Sequence, residues 1–318
     1  MVIQKTLEVH LVGFKIMKSI RIQHWTAILF SLILCFLSSC EKSRDKESFS
    51  FAFLTDIHVQ PEKDADLGFN KAIDTVNKLN PDFVITGGDL IMDALGETES
   101  RADSLYDLYI ELSALLNIPV YNTIGNRELF GIYEESGIDP AHPLFGEKMY
   151  EERIGERYYA FNYMGWRFYI LDSVEGREDR QGYIGQIDNE QLAWLEEDLE
   201  NVDPKIPVAV SIHIPVVTMQ TQLPKSADGT KGEVLVIDNS TEVLSAFKDH
   251  NLKLVLQGHL HILEDIYVGG IHFITGGAIS GSWWNGPRDD TQEGFLMIHI
   301  EGDKFEWAYI DYGWEAVD

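Results

Sequence analysis

The chain has 318 residues, of which 45% are hydrophobic and 24% charged, enough for one or two domains around a sizeable core. Its 25 Lys and Arg against 52 Asp and Glu leave a formal net charge of −27, which excludes non-specific binding to a nucleic-acid polymer or an anionic membrane surface, since both require clustered cations. An anionic substrate needs that field reversed locally, and a bound metal ion is the obvious local cation.

Residues 27–39 form an apolar run after Lys15, Lys18 and Arg21. The run is too short to span a bilayer comfortably and reads as the core of a secretory signal. It stops at Leu37-Ser38-Ser39-Cys40, which resembles the lipobox of bacterial lipoproteins with Cys40 as the lipidated residue. The other reading is an ordinary cleaved signal. Met17 offers an alternative start, because Met17-Lys18-Ser19-Ile20-Arg21 is the better basic leader. The expected organisation is a signal over residues 1–39, a polar lipid-anchored tether over 40–49 and a folded domain over 50–318, with a β-rich segment from about 266. That organisation implies an exported protein anchored by lipid to a cell-envelope membrane, on its periplasmic or surface side. Cys35 and Cys40 are the chain's two cysteines, so its body has neither a disulfide nor a thiolate metal site.

The folded part starts with the strand-like run Phe51-Ala52-Phe53-Leu54, followed by Thr55-Asp56-Ile57-His58. Leu67–Leu79 places Phe69, Ile73, Val76 and Leu79 at helical spacing, and Asn80-Pro81-Asp82 ends it. Phe83–Thr86 reads as a strand running into Gly87-Gly88-Asp89, and Ser100–Leu116 as a second amphipathic helix. Pro119–Ile124 is a third strand, ending in Gly125-Asn126-Arg127-Glu128. Residues 129–165 carry mixed signals and read as a loop-rich excursion. Trp166–Asp172 is a strand, Gln191–Leu199 a helix, and Ile206–Ile212 a strand that ends at His213 before Pro215. Thr241–Asp249 is helical, and Leu252–Leu256 is a strand ending in Gly258-His259-Leu260-His261. The segments 266–268, 271–275, 295–300 and 305–310 alternate like antiparallel strands. Helices alternating with strands, then a run of strands, predict an α/β fold with a mixed sheet or two packed sheets.

Five strand-like runs thus finish in metal-competent side chains: Asp56 and His58, Asp89, Asn126, His213, and His259 and His261. Ligands of open α/β sheets bind outside the carboxyl ends of the strands. A lone His or Asp after a strand is usually structural or turn chemistry, but coincidence at five strand ends is much less plausible. The set, Asp56-Ile57-His58, Gly88-Asp89, Gly125-Asn126-Arg127-Glu128, His213 and Gly258-His259-Leu260-His261, resembles the calcineurin-like metallophosphoesterase family over about residues 50–275. The resemblance implies two packed mixed sheets flanked by helices, a four-layer sandwich with its active site at the strand carboxyl ends. It implies a dinuclear centre in which Asp56, His58 and His261 hold one metal, Asn126, His213 and His259 hold the other, and Asp89 bridges them. Mixed Asp, His and Asn ligation suits two divalent Mn, Fe or Zn ions. Such a pair generates hydroxide at neutral pH and clamps the attacking and leaving oxygens of a phosphomonoester or phosphodiester.

The family pattern has a His where this chain has Arg127. Arg cannot serve as a general acid, but it can hold phosphoryl oxygens by bidentate hydrogen bonds. His142, or a metal-bound water, is then the candidate for protonating the leaving group. Pairing of Arg127 with the neighbouring Glu128 or another acid is the bland alternative. The glycine-rich stretch Gly276–Gly286 contains Trp283 and Trp284, read either as a substrate wall that stacks a base or sugar or as packing beneath a loop. Tyr183 is a weaker candidate for that wall. The expected partners are a phosphorylated small molecule or envelope component and a membrane, reached through the lipid anchor. The rival reading, which Arg127 supports, is a non-catalytic metal-containing protein that binds a phosphorylated ligand or glycan.

Overall fold

Strand alternation decides the architecture. In β1 (Ser48–Leu54), Phe49, Phe51 and Phe53 face one way, and Ala52 and Leu54 the other. Both faces are buried, so β1 needs a layer on each side. The structure, a computed structural model, describes residues 48–223 and 234–316. The expected signal, Cys40 and most of the tether lie outside the described residues. No helix among the described residues is long and apolar enough to cross a membrane.

The first sheet has the order β13-β12-β1-β2-β3. Its parallel strands are β1, β2 (Phe83–Thr86) and β3 (Val120–Tyr121), joined through α1 (Ala65–Leu79) and α2 (Glu99–Ser113). β12 (Gly294–Glu301) and β13 (Lys304–Asp311) return to it from the far end of the chain and pair antiparallel beside β1. The second sheet has the order β10-β11-β9-β8-β5-β4. In it β5 (Trp166–Leu171), β8 (Pro207–Ile212), β9 (Asn251–Gln257) and β11 (Ile271–Gly276) are parallel neighbours, while β4 (Tyr159–Tyr163) and β10 (Leu263–Val268) cap the edges antiparallel. A hairpin of β6 (Val174–Gly176) and β7 (Tyr183–Gly185) stands apart. Three further α-helices lie among the described residues: α3 (Lys148–Arg153), α4 (Asn189–Glu200) and α5 (Ser240–Ala246).

The sheets pack face to face through Phe49, Phe51, Phe53, Phe83 and Ile85 of the first against Trp166, Phe168, Ile170, Leu254 and Leu256 of the second. The Phe51 and Phe83 rings stack 5.0 Å apart, with Phe168 edge-on to both. The opposite strand faces bury against helices, Ala52, Leu54 and Val84 joining Phe69, Ile73, Tyr106 and Tyr109 in one cluster. The result is the expected four-layer arrangement of two mixed sheets between helices.

Several local expectations are corrected. Pairing extends the third strand only over Val120–Tyr121, because Asn122 and Thr123 leave the ladder to bond side chains of Thr86 and Tyr109. Leu79 does not complete the buried face of α1 and stands 44% exposed at its last position, before the Asn80 cap. The 129–165 excursion holds α3 and β4, whose polar positions hid their period. The late strands are not one antiparallel run: β11 pairs parallel with β9, and only then does the chain cross to the first sheet.

Candidate metal centre

The carboxyl ends of parallel strands from both sheets meet on one rim. β1 leads into Asp56 and His58, β2 into Asp89, β3 into Asn126, β8 into His213, and β9 into His259 and His261. Two groups form there. Asp56, His58 and His261 bring one donor atom each to within 4.8 Å of one another, and so do Asp89, His213 and His259. Asp89 belongs to both sides, with Oδ2 3.5 Å from His58 Nε2 and Oδ1 3.2 Å from His213 Nε2. Asn126 Oδ1 stands 3.1 Å from the same His213 nitrogen. All seven ligands expected from the sequence therefore converge.

The imidazoles are aimed by backbone carbonyls. His213 Nδ1 lies 2.7 Å from Gly87 O, His259 Nε2 2.8 Å from Val234 O, and His261 Nδ1 2.5 Å from Gly281 O. An N–H donated at each contact turns the other ring nitrogen toward the cluster. His58 Nε2 and His261 Nε2 then meet at 3.0 Å, beside the buried Asp56 and Asp89 carboxylates. The cluster thus gathers imidazole nitrogens and carboxylate oxygens around two small spaces. The donor set fits divalent cations of the Mn, Fe or Zn type.

The electrostatics carry the same imprint. Burial pushes the His58 pKa down to about 3, and burial with the facing His213 takes His259 down to about 4. Burial acts likewise on His213, but the Asp89 carboxylate outweighs it and holds that ring near 9. Asp89 and Asp56 are held below the usual carboxylate range: burial opposes ionisation, and the facing His213 and His261 respectively overcome it.

Five of the ligand residues sit in left-handed backbone: Asp56 at φ 53°, His58 at 48°, Asp89 at 52°, His259 at 72° and His261 at 56°. This conformation costs an L-residue about 1–2 kcal/mol, and such strain collects at functional sites. Here it turns successive side chains off the strand line and into the rim. Room for the crossing loops comes from the motif glycines. A Cβ on Gly125 would stand 2.3 Å from Asp89 N, and one on Gly258 would stand 2.1 Å from Thr55 Oγ1.

Two supports escape sequence reading. The first is Glu128, whose Oε2 accepts from Asp89 N and Gly125 N and whose Oε1 accepts from Leu90 N and Ile91 N. It ties the Asp89 loop to the Asn126 loop and does not pair with Arg127. The second is the glycine-rich stretch. Ile279 N donates to Thr55 O, Ser280 N and Oγ to Asp56 O, and the Trp284 indole N–H to His58 O at 3.0 Å. That stretch buttresses the Asp56–His58 loop. Composition marked it, but only the fold shows what its backbone touches.

Trp284 does not line the cleft. It is 1% exposed and packs against Gly68 and Trp314, so the substrate-wall expectation fails for it on burial. Trp283 does stand at the cluster, its ring 4.5 Å from that of His261 and 6.1 Å from that of His58. The Arg288 guanidinium already lies over that ring at 5.1 Å. Trp283 therefore has two stacking partners before any substrate arrives. Tyr183 stands edge-on to His259, 6.1 Å between ring centres.

Arg127 is three-quarters buried, with Nε 4.0 Å from Asp89 Oδ2 and Nη1 3.8 Å from Asp93 Oδ2, so its guanidinium overhangs the shared carboxylate. His142 does not join the cluster. Its ring nitrogens face Glu99 Oε2 and the Leu144 N–H, and its ring packs edge-on to Phe130.

Comparison with known proteins agrees with the fold. The model of the family described as calcineurin-like phosphoesterase matches residues 49–263, most of the described chain. The chain belongs to that family, and it is a phosphoesterase by family and by the paired ligand groups. Among solved structures it resembles a dimetal phosphatase from Danio rerio, at 17% identity and TM-score 0.55, covering 83% of this chain and 99% of that one. It also resembles GAP50, the anchor in the inner membrane complex of Plasmodium, at 16% identity and TM-score 0.53, covering 83% and 85%. A purple acid phosphatase from yellow lupin (Lupinus luteus) seeds aligns at 15% identity and TM-score 0.54, covering 84% of this chain and 52% of that one. At these identities the likeness concerns the fold. A comparison with curated proteins returns no match.

Proposed function

We propose that the protein hydrolyses a phosphomonoester or phosphodiester at a dinuclear centre, with Asp56, His58 and His261 holding one divalent ion and Asn126, His213 and His259 the other. The observation that carries this reading is Asp89, one oxygen of which faces each group. Two bound ions would supply Lewis-acid polarisation of a phosphoryl oxygen and activate a water at neutral pH. The chain's own residues do the rest. Backbone carbonyls fix which nitrogen each imidazole presents. Glu128 and the Ser280–Trp284 backbone hold the ligand loops in register. Arg127, at the mouth, takes phosphoryl oxygens by paired N–H bonds and orients the group for in-line displacement. With Arg unable to give up a proton and His142 turned elsewhere, leaving-group protonation falls to solvent. The N-terminal sequence supports an exported, lipid-anchored enzyme acting on nutrient or envelope phosphoesters.

The test is metal analysis together with a phosphoester panel run with Mn, Fe and Zn. Two metals per chain and turnover that Asp89→Asn abolishes support the reading. Two metals with tight phosphoester binding and no turnover across the panel would replace it with a binding role.

A further inference from the structure

Among the described residues, Arg288 is the arginine that lies over Trp283 at the His58/His261 end of the cluster, and its setting is built rather than incidental. Trp283 and Trp284 are consecutive bulky residues at positive φ, 51° and 67°, a conformation that persists only where the surroundings over-determine it. Bonds from Trp284 N to Ser280 O and from Ser282 N to Gly286 O close the loop, and the buried Trp284 indole pins it to His58 O. The strain fixes the Trp283 ring beside His261, and Arg288 Cζ rests 5.1 Å over that ring. The Arg288–Thr291 bridge fixes the backbone on the other side.

An arginine so placed is pre-organised as a fork. Among the described residues its guanidinium meets one acid, Asp289, by Nε at 3.9 Å, and that carboxylate is 80% exposed. Such a pair is worth little and is easily exchanged for a better anion. A second cation flanks the same loop, Lys63 Nζ bonding Asn285 Oδ1 at 2.8 Å.

We propose that Arg288, stacked on Trp283, is an anion subsite that receives a second acidic group carried by the non-transferred part of the substrate. The preferred substrates are then organic phosphoesters bearing a further phosphate or carboxylate about an indole's width from the reacting phosphorus. This rests on the phosphoester reading of the metal centre. Arg127 grips the reacting group at one end and Arg288 the distal anion at the other. Lys63 adds charge without the bidentate geometry.

The test uses the metal-loaded full chain and non-hydrolysable probes, hexane-1,6-bisphosphonate and hexylphosphonate, titrated calorimetrically. Arg288→Ala should weaken the bisphosphonate at least tenfold and the monophosphonate less than twofold, with an unchanged melting temperature. Arg288→Lys should recover only part of the loss. Equal weakening of both probes, or of neither, overturns the subsite. Turnover is read separately. Wild-type protein that cleaves no phosphoester yet discriminates the two probes through Arg288 keeps the subsite and sinks the hydrolase reading. Active enzyme without that discrimination sinks the subsite alone.

Discussion

Glu128 takes four backbone N–H groups on its two oxygens. Glu128→Gln would turn one oxygen into a donor facing two donors. Each stranded N–H costs about 1–3 kcal/mol, so with two stranded the variant is expected to lose about 2–6 kcal/mol in denaturant unfolding and to hold less metal. Unchanged stability would show that the clamp is dispensable. Arg127 separates binding from chemistry in the opposite sense. Loss of one charge-stabilising donor typically costs about 10²–10³ in kcat. Arg127→Ala should therefore fall by about a hundredfold in phosphoester turnover with metal content nearly unchanged, and equal activity would remove Arg127 from catalysis. All seven side chains that converge at the candidate metal centre were legible in the sequence, because a ligand needs a particular side chain at a strand end. The roles of Glu128, Ser280 and Trp284 were not legible. Their work depends on which backbone groups lie opposite, and that is decided by the fold.

Between elements, one cationic knot holds the edge of the second sheet. Arg157, just before β4, bonds Asp172 at the end of β5 at 2.9 Å and Asp188, the cap of α4, at 2.8 Å. Asp172 is buried and lies near Glu147. Burial first and that charge second lift its pKa from 3.8 to about 7, while Arg157 divides its charge among three acids. The folded protein keeps this proton where the unfolded chain has lost it. The contribution of Asp172 to stability is thus full below about pH 4 and is lost as pH rises through about 7. Relative to Asp172→Asn, the wild type should lose unfolding free energy across that window. A flat difference would contradict the raised pKa. The longer helices and strands were readable from their periods, whereas the β6–β7 hairpin was not, since each strand has three residues. Its register is fixed by tertiary contacts, including Arg180, whose guanidinium bonds the carbonyls of Gly131, Tyr133 and Ile138.

At the scale of the whole molecule, charge and topology matter most. A net charge of −27 repels a phosphoester at long range, and salt screens that repulsion with a Debye length of about 10 Å at 0.1 M. kcat/KM for a dianionic substrate should therefore rise between about 10 mM and 100 mM ionic strength. A fall would mean that Arg127, Arg288 and Lys63 govern the approach. The two-sheet class was readable from the order of elements, but the route of the last strands was not. β12 seats itself against β1 from Phe53↔Leu296 through Ser48↔Glu301. The order of synthesis then runs against the order of assembly. A nascent chain presents the Asp56–His58 motif long before it presents the strand that shields the flank of β1. Until nearly three hundred residues have left the ribosome, β1 keeps an open, phenylalanine-rich edge, of the kind that recruits other chains. The strand that flanks the first candidate metal ligands is among the last to be made.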